Sequence, residues 1–258
     1  MTYASFTGFK VSRYTDMRLA QLKSLKVLTF QRNPTFTGRY REFGHLFKIF
    51  FKNVGHDCPH AALLGLGGIG KTQIAVEFAY RIQEQFPEVS IFWVQANDAT
   101  SFEASYRKIA DQLGIPLDID DLNIRARVNE KLSQDDSGKW LMVVDSADNP
   151  ILNNDKGNTT PLAQLLPSSS FGGILFTTRN LSAATDYYAK SNVITVDQMN
   201  EREATALLRK GFRDERLVLL EDEGGQRQSF SNICLCCLLL LCKPYTISIR
   251  CQLTLRHI

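Results

Sequence analysis

Residues 65–72 read Gly65-Leu66-Gly67-Gly68-Ile69-Gly70-Lys71-Thr72, the full spacing G-x-x-x-x-G-K-T between an apolar run and a helical pattern. Such a stretch can hold phosphates. Successive backbone N–H groups converge on one concavity at the start of a helix, whose dipole also favours an anion. Glycines at 67, 68 and 70 allow backbone conformations closed to bulkier residues and a close approach to a ligand. Lys71 is a point charge for β- and γ-phosphates, and the Thr72 hydroxyl is an oxygen ligand for Mg²⁺. Candidate contacts are therefore Gly65, Gly67, Gly68, Ile69, Gly70, Lys71, Thr72 and Gln73.

A metal ion held by Thr72 needs a carboxylate on its other side. The apolar run Trp140-Leu-Met-Val-Val144 ends in Asp145, which a parallel sheet would place at its carboxyl edge beside the glycine loop. Thr72 and Asp145 are thus the expected Mg²⁺ ligands. The base can be narrowed as well. Asp148-Asn149 stands where a guanine-specific hydrolase carries glycine, and no Asn-Lys-x-Asp follows. Adenine is favoured. No Arg-rich insertion after the third strand offers the lid of a small-molecule kinase.

These residues need a frame of alternating strands and helices. Near-continuous apolar runs at Ala61–Leu66, Val89–Gln95, Trp140–Asp145, Gly173–Thr177 and Val193–Val196 read as strands buried on both faces. Between them, Ile74, Phe78 and Ile82 recur at helical spacing, as do Phe102, Tyr106 and Ile109. Leu122, Ala126 and Glu130 follow, with Val128 and Leu132 beside them. Ala204, Leu207, Leu208 and Phe212 mark a last helix, with Asn200 or residues 195–197 able to cap it. The order predicts an α/β fold, a parallel five-stranded sheet with helices on both faces.

Composition bounds the rest. The chain has 258 residues, 44% hydrophobic, 10% aromatic and 22% charged, enough for a buried core without disulfide or metal staples. A net charge of +3 argues for neither nucleic acid nor a membrane as partner. No apolar run reaches the roughly 18–20 residues that span a bilayer. The N-terminus lacks a secretory signal, so the expected location is cytoplasmic. A basic segment covers 1–31, with a short amphipathic helix expected around Met17–Leu28. The nucleotide-binding unit is bounded at 32–213, and 214–258 form an irregular apolar tail. Five of the six cysteines crowd into that tail and read as reduced apolar residues rather than a zinc site. Its run Ile233–Cys242 is either a buried element or sequence outside the native reading frame. His56-Asp57-Cys58-Pro59-His60 reads as a connecting loop.

Taken together the motifs resemble the NB-ARC family of STAND-class P-loop NTPases, most of all the fungal NOD-like type. Arg32-Asn-Pro-Thr-Phe-Thr-Gly38-Arg39 is similar to the family's opening motif, which packs against the adenine. The resemblance makes Arg39 a nucleotide contact. Gly172-Gly-Ile-Leu-Phe-Thr-Thr-Arg179 looks like the sensor strand, whose Arg179 would read the γ-phosphate. Lys71, Asp145 and Arg179 are then the residues expected to act on ADP or ATP with Mg²⁺. Hydrolytic members usually hold a second carboxylate directly after the metal-binding one, but Ser146 stands there and is no base at neutral pH. The implied function is an adenine-nucleotide switch of a signalling ATPase, a weak ATPase at most, with self-association when ATP-bound expected only where the family's further domains are present. The family's small helical and winged-helix domains, effector domain and repeats are not readable. A turnover ATPase and a truncated non-functional product stay open as alternatives.

Overall fold

The computed structural model describes residues 24–28, 30–52, 58–118, 120–134, 137–153 and 159–211. The expected tail, the cysteine cluster within it and most of the basic N-terminal segment lie outside these residues. The chain first forms β1 (Lys26–Val27), α1 (Tyr40–Phe47), β2 (His60–Leu64) and α2 (Lys71–Gln85). Next come β3 (Ser90–Gln95), α3 (Ala99–Gln112), α4 (Asp121–Ser133) and β4 (Trp140–Asp145). A hairpin of β5 (Ile151–Asn153) and β6 (Thr159–Pro161) precedes β7 (Gly172–Thr178), β8 (Val193–Thr195) and α5 (Glu201–Gly211). Six strands form one parallel sheet in the order β1-β3-β4-β7-β2-β8.

The sheet is sandwiched, as the unbroken apolar runs require. Every residue of β4 and β7 is buried. Alternate side chains enter opposite layers. Phe92, Val94, Met142, Val144 and Phe176 meet α3 and α4 on one face, whereas Ile91, Trp93, Leu141, Val143 and Leu175 meet α1 and α2 on the other. Asp98 caps α3 by accepting from the Ser101 amide at 2.7 Å, and Asp120 caps α4 from the Asn123 amide at 2.9 Å. Asn200 caps α5, accepting from the Glu203 amide at 2.9 Å.

Three expectations are corrected. Among the described residues the sheet has six strands rather than five. The extra one, β1, pairs Lys26 and Val27 with Ile91 and Phe92, and a two-residue edge strand is too short to show a period. It also replaces the end of the helix expected around Met17–Leu28. In α4 the inward face is Ile124, Val128 and Leu132, while Ala126 and Glu130 are exposed. The face chosen from Leu122, Ala126 and Glu130 counted one polar residue as apolar. The helix α1 escaped notice altogether, because Gly44 interrupts its short pattern. A π-helical turn, Lys48–Lys52, follows it and sets Phe50 against Phe78, and Phe51 against Phe86 with ring centroids 4.5 Å apart.

One glycine of β7 is fixed by its neighbour. A Cβ on Gly172 would lie 2.1, 2.2 and 2.5 Å from atoms of the buried Trp140 ring, which is held by its indole N–H on the Leu132 carbonyl at 2.9 Å. Gly172→Ala is therefore an overpacking substitution, with an expected cost of about 1–3 kcal/mol. In a domain of this size the melting temperature should fall by roughly 2–10 °C. An unchanged melting temperature would show that the ring can move aside.

Candidate functional site

Parallel strands bring their carboxyl ends to one edge, and there the chain places its chemistry. The glycine loop follows β2, Asp145 ends β4, and Arg179 follows β7, the strand between them. The loop is shaped by Gly68 and Gly70, whose φ values of 78° and 99° lie in the left-handed region that favours glycine. Gly67, expected to share that role, is not among the positive-φ residues. Gly65 is needed for space, since a Cβ there would stand 2.8 Å from the Val196 carbonyl oxygen.

Helix α2 starts at Gly70 without a side-chain cap. Its first-turn N–H groups thus face the loop's concavity with the dipole behind them, the arrangement that binds phosphate. Lys71 is buried at the first position, and its Nζ donates to the carbonyls of Gly65 and Leu66, both at 2.8 Å. These bonds use two of the ammonium's three protons. Burial pushes the Lys71 ammonium below its ordinary range; Asp148 and Asp145 oppose that shift, and Arg179 adds to it.

Thr72 and Asp145, expected as metal ligands, are brought together. The Thr72 hydroxyl donates to Asp145 Oδ1 at 2.8 Å, and Thr177 donates to the same oxygen at 2.6 Å. Hydroxyl and carboxylate oxygens beside a phosphate-binding helix start are hard donors of the type Mg²⁺ takes, so the residues fit that ion. Thr177 was not foreseen. It also accepts from the Ser146 amide at 2.9 Å, which fixes the backbone directly after Asp145. The pair Thr177-Thr178 at the end of an apolar strand, just before Arg179, is the sequence signal for it.

Burial raises Asp145 above the usual carboxylate range, against hydrogen bonds from Thr177, Thr72 and the Ser146 amide. A raised carboxylate contributes stability that is fully present below its unfolded value near about 3.9 and lost as pH rises through the folded value. At neutral pH its charge therefore costs the ligand-free protein stability. Asp145→Asn keeps an acceptor for both threonines without the charge. The variant should melt higher than wild type at pH 7 in the absence of ligand, with little difference below pH 4. It should also lose the Mg²⁺ dependence of nucleotide affinity. A lower melting point at pH 7 with Mg²⁺ dependence intact would contradict this role.

The two arginines are placed differently. Arg39 is buried, with φ of 62°, and donates through Nη1 to the Asp197 carbonyl at 2.6 Å and through Nη2 to the Ile69 carbonyl at 3.0 Å. Glu42 Oε1 accepts from the same Nη1 at 3.4 Å, so its partners are a buried carboxylate of α1, the glycine loop's own backbone and the exit of β8. The Arg39 amide donates to Glu203 Oε1 at 2.8 Å, so α5 is pinned to the same turn. Arg179 is exposed and pairs with Asp148; a Cβ on Gly67 would lie 3.7 Å from its Nη1. Gln73 accepts from the Asn33 side-chain amide at 3.3 Å, and Ile69 contributes its carbonyl to Arg39. Among the described residues no group of three or more His, Cys, Asp or Glu side chains could hold a metal ion, and no helix is long and apolar enough to cross a membrane.

A glycine loop between β2 and α2, with a carboxylate-tipped strand two places along the same parallel sheet, defines a P-loop NTPase nucleotide-binding module. The particular family follows from comparison. The NB-ARC domain matches residues 44–217, and the chain belongs to that family. The matched range begins after Arg39. A nucleotide-binding leucine-rich repeat (NLR)-like protein of the fungus Hyaloscypha variabilis is 36% identical over 203 residues, 75% of this chain. The chain spans only 20% of that relative's length. Among solved structures, Cdc6p from Pyrobaculum aerophilum aligns with 69% of this chain and 51% of its own, at 18% identity and TM-score 0.48. The Aeropyrum pernix ORC1 protein in complex with DNA aligns with 67% of this chain and 49% of its own, at 17% identity and TM-score 0.48. At such scores the fold rests on the strand order and the loop themselves.

Proposed function

We propose that this module is the adenine-nucleotide switch of a cytoplasmic NLR-like signalling protein, holding ADP or ATP with Mg²⁺ and hydrolysing ATP slowly at most. The observation that carries the reading is the Thr72–Asp145 contact at 2.8 Å beneath the phosphate loop, followed by Ser146 where a hydrolase would hold a second carboxylate. Bound Mg²⁺ would supply charge neutralisation between phosphate oxygens. The chain's own residues do the rest. Lys71 leaves the Gly65 and Leu66 carbonyls for the phosphates, Thr72 and Asp145 hold the metal's side of the site, and Arg179 takes the γ-phosphate. Arg39 braces the loop through Ile69 and serves the nucleotide from behind. With no carboxylate next to Asp145 to orient or deprotonate water, the bound triphosphate persists, which suits a two-state switch. Self-association of the ATP-bound state would need the further domains of a longer signalling protein.

A multiple-turnover phosphate-release assay separates this reading from a turnover ATPase. The switch predicts a rate well below about 1 s⁻¹, the lower end of ordinary enzymes. Turnover at or above that rate would make hydrolysis itself the output.

A further inference from the structure

Asp148 is a carboxylate that neither the phosphate loop nor the metal site uses, and it holds Arg179 at two points. Its Oδ1 accepts from the Arg179 backbone amide at 2.6 Å and its Oδ2 from the Arg179 Nε at 2.6 Å. Thr178 donates its hydroxyl to Oδ1 at 3.3 Å, and the Asp148 carbonyl accepts from the Asn180 side-chain amide at 3.1 Å. The carboxylate is thus anchored from the strand end that carries the arginine. With Nε taken by the carboxylate, Nη1 lies on the far edge of the guanidinium. That edge faces the glycine loop, where a Cβ on Gly67 would meet Cδ at 3.6 Å and Nη1 at 3.7 Å. Lys71 feels the charges of both Asp148 and Arg179, so the pair sits close to the phosphate-binding ammonium. Burial alone would raise Asp148, but the hydrogen bonds and charge of Arg179 outweigh it and keep the carboxylate below its usual range. It is therefore held as the carboxylate, accepting one charge-assisted bond from the side chain and one from the backbone of the same arginine.

We propose that Asp148 is the positioning residue that sets discrimination between ATP and ADP, by aiming Arg179 at the terminal phosphate. The inference rests on the reading that the loop binds adenine nucleotide and that Arg179 takes its γ-phosphate. A long, exposed arginine samples many rotamers, and a fork that fixes its backbone and Nε leaves only the terminal end free. The effect is confined to the ligand that reaches Arg179, the triphosphate.

The test measures the affinities of ADP and the slowly hydrolysed analogue ATPγS for wild type, Asp148→Asn, Asp148→Glu, Arg179→Gln and the double variant Asp148→Asn/Arg179→Gln. Melting curves without ligand verify that each variant folds. Asp148→Asn should weaken ATPγS about tenfold or more, the scale of one charge-assisted hydrogen bond, and leave ADP within roughly twofold. Asp148→Glu keeps the charge but displaces the fork, so it should lose the same discrimination, which a purely electrostatic role would preserve. The double variant should bind ATPγS no more weakly than Arg179→Gln, because both act through one contact. An unchanged ATPγS-to-ADP ratio in Asp148→Asn, or tighter ATPγS binding, would overturn the proposal. If wild type binds neither nucleotide, the phosphate-loop reading fails first and takes this one with it.

Discussion

Lys71→Ala should abolish measurable ADP and ATP binding while the domain still folds. Lys71 is buried at the head of α2 with its ammonium folded onto the Gly65 and Leu66 carbonyls, and burial already lowers its pKa. Arriving phosphates supply the opposite charge that the site lacks. Removing the ammonium forfeits a charge-assisted contact of about 1.5–3 kcal/mol and leaves the phosphate charge less neutralised in a partly dehydrated loop. The expected loss of affinity exceeds roughly 10–100-fold. Stability should change less. Two loop carbonyls lose a donor, but a partly desolvated charge disappears with it, and these effects oppose. Calorimetry decides the matter. Unchanged ADP affinity in a folded variant would sink the phosphate-loop assignment.

Ser146→Asp should raise ATP hydrolysis by roughly 10²-fold, the low end of what a positioned general base contributes. The backbone decides which residue to use. Ser146 sits at φ 60°, a conformation that Asp and Asn tolerate better than most residues, so aspartate enters with less strain than glutamate. The Ser146 amide is held by Thr177 Oγ1 at 2.9 Å, which limits how far the substituted backbone can move. Ser146→Asn is the control, equal in shape and unable to accept a proton. A phosphate-release rate that rises equally in both variants would assign the gain to loop geometry. No rise in either would mean that water activation is not what keeps the native rate low.

The parts of the fold that announce themselves do so through local chemistry. Trp140–Asp145 is a strand wherever it is read, because a run buried on both faces has no polar position to confuse. The glycine loop is legible because glycine is demanded by backbone shape at Gly68 and Gly70, and by the Val196 carbonyl at Gly65. What stayed hidden depends on partners far along the chain. Arg39 reaches carbonyls of Ile69 and Asp197, and a carbonyl carries no side-chain signature in sequence. The bond from the Arg39 amide to Glu203 spans 164 positions. Asn200 pointed to the start of α5, but the reciprocal bond from its amide to Glu203, and Glu203's second partner in Arg39, appear only in the fold. The edge strand β1 and the hairpin of β5 and β6 are two- and three-residue pieces chosen by neighbours rather than by periodicity. Asp148 was visible as an acid three places beyond Asp145, yet its two-point hold on Arg179 exists only once β4 and β7 lie side by side.

The most direct measurement is the melting temperature of the native chain with and without ADP, with GDP at the same concentration as a comparison. A ligand that binds only the folded state stabilises it by RT ln(1 + [L]/Kd), about 2.7 kcal/mol at a hundredfold excess over Kd. For a domain of this size that is a rise of roughly 5–10 °C. An adenine-nucleotide switch predicts that rise with ADP and a clearly smaller one with GDP. No shift with ADP at millimolar concentration would contradict nucleotide binding, and an equal shift with GDP would contradict the choice of adenine.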